Sequence, residues 1–168
     1  MLTTLLLSLL LFQSPDDAFV GQKAPELKPQ GTWINSAPLK LEQLHGKVVL
    51  IEFFAWDCPF CAEAMPHIKE FYEKYSKSGL VILGVHTPRV DYEKDIPKIK
   101  EAIAAKGLKY PIVVDNEYEI WSDYACGAWP SMYILDQNGV IQLNHTGTGR
   151  YDEMEEVIKK LLSKNSAK

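Results

Sequence analysis

The stretch "KVVLIEFFAWDCPFCAEAMPHIKEFYEKYSK" (Lys47–Lys77) decides how this chain folds. Lys47–Phe54 is a near-continuous apolar run rich in β-branched and aromatic side chains. It predicts a strand buried on both faces and central in a sheet. From Pro59 the period changes. Ala62, Met65, Ile68, Phe71, Tyr72 and Tyr75 recur at helical spacing with Lys and Glu between them, which predicts an amphipathic helix to Lys77, closed by Gly79. Two cysteines, Cys58 and Cys61, stand at the junction of strand and helix.

Working outward, "LVILGVH" (Leu80–His86) reads as a second buried strand and Tyr92–Gly107 as an amphipathic helix with Pro97 near its first turn. Tyr110–Asp115 reads as a short strand and Asn116–Cys126 as a short helix. Pro130–Asp136 and Val140–Thr146 flank "QNG", a hairpin signal with Asn138-Gly139 in the turn. Tyr151–Lys164 is a final helix, acidic at its start and basic at its end as the helix dipole prefers. Val20–Gly46, dotted with Pro and Gly, reads as an N-terminal extension with a short hairpin and a turn of helix. A βαβ half, an insert and a ββα half imply a mixed sheet with helices on both faces.

The chain has 168 residues, enough for one domain with its own core. A net charge of −4 argues against a broad nucleic-acid-binding face, and no nucleic-acid partner is expected. At the N-terminus "MLTTLLLSLLLFQS" lacks any charged side chain. Its apolar run Leu2–Phe12 suits a secretory leader and is too short for a bilayer span of ~20 residues. We therefore expect a signal peptide over residues 1–18, a single domain over 19–168, and an extracytoplasmic location in the bacterial periplasm. A CxxC pair plus one leftover thiol, Cys126, does not make a disulfide scaffold. In an oxidising compartment the pair can close.

The pair admits three readings: half of a metal site, a structural clip, or a redox dithiol. A structural zinc site needs four ligands, and there is no second CxxC. His45, His67, His86 and His145 are scattered, so no metal is expected. A clip across so short a loop removes little chain entropy. As a dithiol the arrangement is chemically apt. Cys58 falls at the helix N-cap with Pro59 as the first helical residue, where unpaired backbone N–H groups favour a thiolate. Cys61 lies one turn on, on the same face. This predicts an exposed attacking Cys58 and a buried resolving Cys61. Glu52 is the one charge in a strand that reads as buried on both faces. A buried carboxyl poised near neutral pH can take or return the Cys61 proton.

"VVLIEFFAWDCPFCAEAMP" and "YACGAWPSMYILDQNG" resemble the thioredoxin superfamily. More closely, "GTWINSAPLKLEQLHGKVVLIEFFAW", "GLVILGVHTPRVDYEKD", "YPIVVDNEYEIWSDY", "WPSMYILDQNGVI" and "HTGTGRYDE" are similar to the TlpA/DipZ-like extracytoplasmic redoxin domains, over Gly21–Leu162. The resemblance implies a thioredoxin-like α/β fold: a central mixed β-sheet flanked by helices, with an N-terminal extension and a βα insertion. It implies a thiol–disulfide oxidoreductase, on the reducing side. Cys58 would be nucleophile, Cys61 resolving thiol, Glu52 the buried acid and Pro130 a cis-proline against the dithiol. Trp56, Pro59, Phe60 and Trp129 would contact substrate. Implied partners are protein thiols and disulfides, namely a membrane electron donor and periplasmic clients, met by a monomer. No cofactor is implied beyond the redox-active Cys58–Cys61 disulfide.

The sequence departs from that family in three places. Asp57 directly precedes Cys58 and opposes its thiolate, which argues toward the reducing side, whereas Glu52 itself resembles DsbA-type oxidants. Ala64 stands where many TlpA-like reductases carry Glu, with Glu63 one place away. Cys126, four residues before Pro130, is either a small buried thiol or a third redox thiol. His86 and Thr87 end a strand at the sheet edge where sites form, but a surface His is the plainer reading. Two rivals stand beside the oxidoreductase. A thiol peroxidase would need P-x-x-x-[ST]-x-x-C, where Ile51 and Ala55 occupy the key positions. A non-catalytic docking or metal-delivery module is the other.

Overall fold

The computed structural model describes residues 18–28 and 30–164. The reading of residues 1–18 as a leader therefore lies almost wholly outside the described part. Six strands and four α-helices follow in the order β1 (Trp33–Ile34), β2 (Val48–Phe54), α1 (Pro59–Tyr75), β3 (Leu80–His86), α2 (Ile96–Ala105), β4 (Ile112–Val114), α3 (Glu119–Asp123), β5 (Ser131–Leu135), β6 (Ile141–Thr146) and α4 (Tyr151–Ser163). They make one mixed sheet, β1-β4-β3-β2-β5-β6, in which β2 runs parallel to β3 and antiparallel to β5. This is the thioredoxin-like architecture that the motif order implies, with α2 and β4 as the inserted βα unit.

Every residue of β2 is buried, as its unbroken apolar run predicts. Alternation assigns its side chains to two cores. Val48, Leu50 and Phe54 join the larger one with Cys58, Cys61 and the apolar faces of α1, α2 and α4. Val49, Ile51 and Phe53 join the other with Leu27, Leu41, Ile120 and Tyr124. Glu52 shares the parity of Leu50 and Phe54, so it points into the core that holds the cysteines.

Gly79 (φ 107°) and Gly107 (φ 65°) end their helices in the left-handed conformation that glycine tolerates. The "DQNG" turn closes as read, with Asp136 Oδ1 accepting from the backbone N–H of Asn138 at 2.9 Å and Val140 at 3.0 Å. Three expectations need correction. Trp33 and Ile34 do not form a local hairpin but pair antiparallel with Val113 and Ile112, covering the open edge of β4. The helix expected from Tyr92 starts at Ile96, because Asp95 caps it (Oδ1 to Lys98 N–H, 3.0 Å) and Pro97 belongs in a first turn that needs no donor. Residues Asp91–Lys94 form a separate 3-10 turn. The helix expected over Asn116–Cys126 shrinks to five residues, since Tyr118 turns left-handed (φ 59°) just before it.

Gly84 on β3 sits opposite Glu52 in the parallel register. A Cβ there would meet Ile112 Cγ1 at 2.9 Å, Phe54 Cε1 at 3.0 Å and Tyr110 Cε2 at 3.3 Å. The missing side chain is what lets the Tyr110 ring approach Glu52. Gly84→Ala is expected to destabilise the protein by ~1–3 kcal/mol through overpacking. A urea titration with unchanged slope and lowered midpoint checks it.

Candidate active site

Strand β2 delivers the chain to the end of the sheet, where Ala55–Asp57 turn into α1. Cys58 is the N-cap of α1 with extended backbone, and its Sγ accepts the Cys61 N–H at 3.2 Å. Its carbonyl accepts Ala62 N–H at 3.0 Å, and Pro59 takes the first helical position, where its lack of an N–H costs nothing. Cys58 and Cys61 are joined as a disulfide with Cα atoms 5.2 Å apart. Cys61 is fully buried, as expected. Cys58 is also nearly buried, at 3% exposure, which corrects the expectation of an exposed thiol. The cause is packing: Trp56, Trp129 and Tyr151 lie against the cluster that holds both sulfurs. The outward-facing residues of the motif are Pro59 and Phe60, the latter 62% exposed.

Glu52 is 1% exposed and hemmed in by β3 and β5. Neither a lysine nor the sheet edge relieves it. Its Oε2 accepts the Tyr110 hydroxyl at 3.0 Å, while Oε1 is buried with no hydrogen-bond partner among the described residues. Burial pushes the carboxyl up to about 7, opposed in part by the Tyr110 bond. A carboxyl on the dithiol's face that titrates near neutrality has the placement and proton affinity of a general acid–base.

Trp129 and Pro130 are joined by a cis peptide. The indole Nε1 of Trp129 donates to Thr87 O at 2.9 Å, its ring stacks on Trp121 at 4.1 Å, and Pro130 O accepts Gly147 N–H at 2.8 Å. Trp56 packs edge-on to Tyr92, ring centroids 5.8 Å apart. The dithiol, Trp56 and Trp129 thus belong to one core, which Glu52 meets through its bond to Tyr110, and Pro130 is next in chain to Trp129.

Cys126 does not join them. It packs against the second core, on the opposite face of the sheet, with its sulfur 3.7 Å from Tyr133 Oη. Burial pushes its thiol up to about 12, so it stays protonated. His86 is fully buried rather than a surface residue. Its Nε2 accepts the Trp56 N–H at 3.3 Å, and desolvation pulls the ring down to about 4, leaving it neutral with the proton on Nδ1. His67 stacks on Tyr151 at 3.8 Å, away from any second ligand. Among the described residues no three His, Cys, Asp or Glu side chains converge on a point.

The AhpC/TSA family model matches residues 20–144. The chain belongs to the AhpC/TSA family. Its relatives include Protein DipZ of Mycobacterium bovis, 39% identical over 143 residues, which cover 83% of this chain and 21% of that protein. Thiol-disulfide oxidoreductase YkuV of Bacillus subtilis is 30% identical over 142 residues, covering 84% of this chain and 95% of YkuV. A thioredoxin-like protein solved in its oxidised form superposes with a TM-score of 0.76, at 32% identity, over 85% of this chain and 96% of that one. The chain thus spans about a fifth of the DipZ protein it matches, and nearly all of YkuV.

Proposed function

We propose that this chain is a thiol–disulfide oxidoreductase acting on protein disulfides outside the cytoplasm. One observation carries the reading: a Cys58–Cys61 disulfide at a helix N-terminus, on the same sheet face as the buried carboxyl of Glu52. The relationship to YkuV supports it. In the reduced protein the Cys58 thiolate attacks one sulfur of a partner disulfide, forming a mixed disulfide and releasing the other partner sulfur as thiolate. Cys61 gives its proton to Glu52 and attacks Cys58 Sγ, releasing the second partner thiolate. Two electrons pass to the partner and Cys58–Cys61 is left oxidised, so a membrane donor must re-reduce it. The chemistry requires no cofactor beyond the dithiol. Pro59 and Phe60, with the partly exposed Trp56 and Trp129, form the surface a client backbone meets, and the cis Trp129–Pro130 peptide, with Pro130 itself buried, borders it. The apolar run Leu2–Phe12 supports export.

A peroxidase of that motif would need Pro at position 51 and a Ser or Thr hydroxyl at position 55. Ile51 points into the opposite core, and Ala55 has no polar side-chain atom. The test is insulin reduction by the wild-type protein with dithiothreitol, alongside its equilibrium with glutathione. We expect catalytic turnover and a potential nearer ~−270 mV than ~−120 mV. A protein that neither reduces insulin nor equilibrates with glutathione, or that carries stoichiometric metal, overturns the reading.

A further inference from the structure

Between β3 and α2 the chain does not cross directly. Residues 86–93 fold back over the turn that precedes Cys58 and hold it at three points. His86 Nε2 accepts the Trp56 N–H at 3.3 Å. Arg89 Nη2 donates to the Asp57 carbonyl at 2.7 Å. Tyr92 Oη donates to Asp57 Oδ2 at 2.5 Å. The segment is stiffened from within by Glu93, which is fully buried. Its Oε2 accepts the Arg89 backbone N–H at 2.5 Å, and its Oε1 accepts Arg89 Nε at 3.1 Å and Nη2 at 2.8 Å. A buried carboxylate bonded this fully to one guanidinium leaves the strap few other arrangements.

Asp57 immediately precedes the N-cap cysteine, and an unpartnered carboxylate there opposes an anion on Cys58. We propose that Tyr92 is a positioning residue for the dithiol: with Arg89 it straps Asp57 in place and blunts the opposition of the Asp57 carboxylate to the Cys58 thiolate. The inference rests on the reading of Cys58 as the attacking thiol. Tyr92 suits the role because its hydroxyl takes up one carboxylate oxygen while its ring, half exposed, lies edge-on to Trp56. Removing the hydroxyl removes the bond without opening the core. The other titratable or charged groups on the elements around the cap include Glu52 of β2, His86 of β3, Arg89, Asp91, Glu93 and Lys94 of the strap, Lys98 and Glu101 of α2 beside Trp56, Glu63 and His67 of α1, and Tyr151 of α4. All are common to the variants below, so differences among them report the Asp57–Tyr92 pair.

The experiment is a double-mutant cycle on the full-length protein, with the dithiol–disulfide equilibrium against glutathione as the readout at pH 7. Tyr92→Phe is expected to move that equilibrium about threefold toward the disulfide, equivalent to ~14 mV at ~30 mV per tenfold change. Asp57→Asn moves it toward the dithiol. In the Asp57→Asn background, Tyr92→Phe has no further effect. Circular dichroism establishes that each variant is folded. A shift of the same size in both backgrounds, or none in either, overturns the proposal while leaving the oxidoreductase reading intact. A wild-type dithiol that never equilibrates with glutathione overturns both.

Discussion

Cys58→Ser reduces insulin-disulfide turnover to the buffer background, and Cys61→Ser accumulates a covalent one-to-one adduct with its client. The asymmetry follows from the cap. Cys58 is the sulfur at the helix start, where backbone N–H groups stabilise its anion, and it is the slightly more accessible of the two. A serine hydroxyl in its place has no accessible anion near pH 7 and attacks no disulfide. Cys61 is sealed in the core, so it can reach Cys58 Sγ but not a client. Without it the mixed disulfide forms and stays. Loss of fold does not produce these results. Opening a cross-link over so short a loop costs about 2 kcal/mol by chain entropy, against total stabilities of about 5–15 kcal/mol for ordinary domains. Mass spectrometry under non-reducing conditions reads the adduct. A Cys58→Ser protein with full turnover would sink the assignment.

Local chemistry was readable from the chain because each signal acted within a few residues. The β2 run, the Cys58–Pro59 cap, Gly79, Gly107 and the Asn138-Gly139 turn all required only neighbours, and all stand in the structure as read. Burial of Glu52 was legible for the same reason: a single charge in an otherwise apolar strand has nowhere else to go. Its partner was not. Tyr110 is 58 residues away in sequence, and the contact depends on the β3–β4 pairing and on the absent side chain at Gly84.

Cys126 shows the opposite failure. Closeness to Pro130 in sequence suggested closeness to the dithiol, but the packing puts its side chain on the other side of the sheet. Glu93 fell inside the helix expected over Tyr92–Gly107 and Arg89 before it, so nothing in the sequence paired them. The fold turns that stretch into a 3-10 turn and closes the two into a buried ion pair. Asp57 read as a plain opponent of the thiolate, and only the fold supplies the Tyr92 hydroxyl that answers it.

Glu52→Gln flattens the pH dependence of stability by about 3 kcal/mol between pH 4.5 and pH 8. In the folded protein burial raises the Glu52 carboxyl from 4.5 to about 7, so the native state binds this proton more tightly than the unfolded chain does. Below pH 4.5 both states are protonated and Glu52 adds no pH-dependent cost. As pH rises toward 7 the unfolded chain ionises first, and stability falls. Above 7 the folded carboxyl is ionised too and the cost is complete; the gap corresponds to about 3 kcal/mol. His86 acts in the opposite sense in the same range. Its folded value is lowered from 6.5 to about 4, so its contribution is lost as pH falls through that window. The difference between variant and wild type, rather than either curve alone, isolates Glu52. Glutamine keeps the shape and can still accept from Tyr110, and its unpaired amide adds a cost of about 1–3 kcal/mol that does not vary with pH. Urea unfolding of the oxidised proteins at several pH values measures the slope. In the same variant the resolving step loses its proton acceptor, so turnover falls by ~10²-fold and its inflection near pH 7 disappears. A variant that retains both the slope and the inflection would show that another group carries the proton.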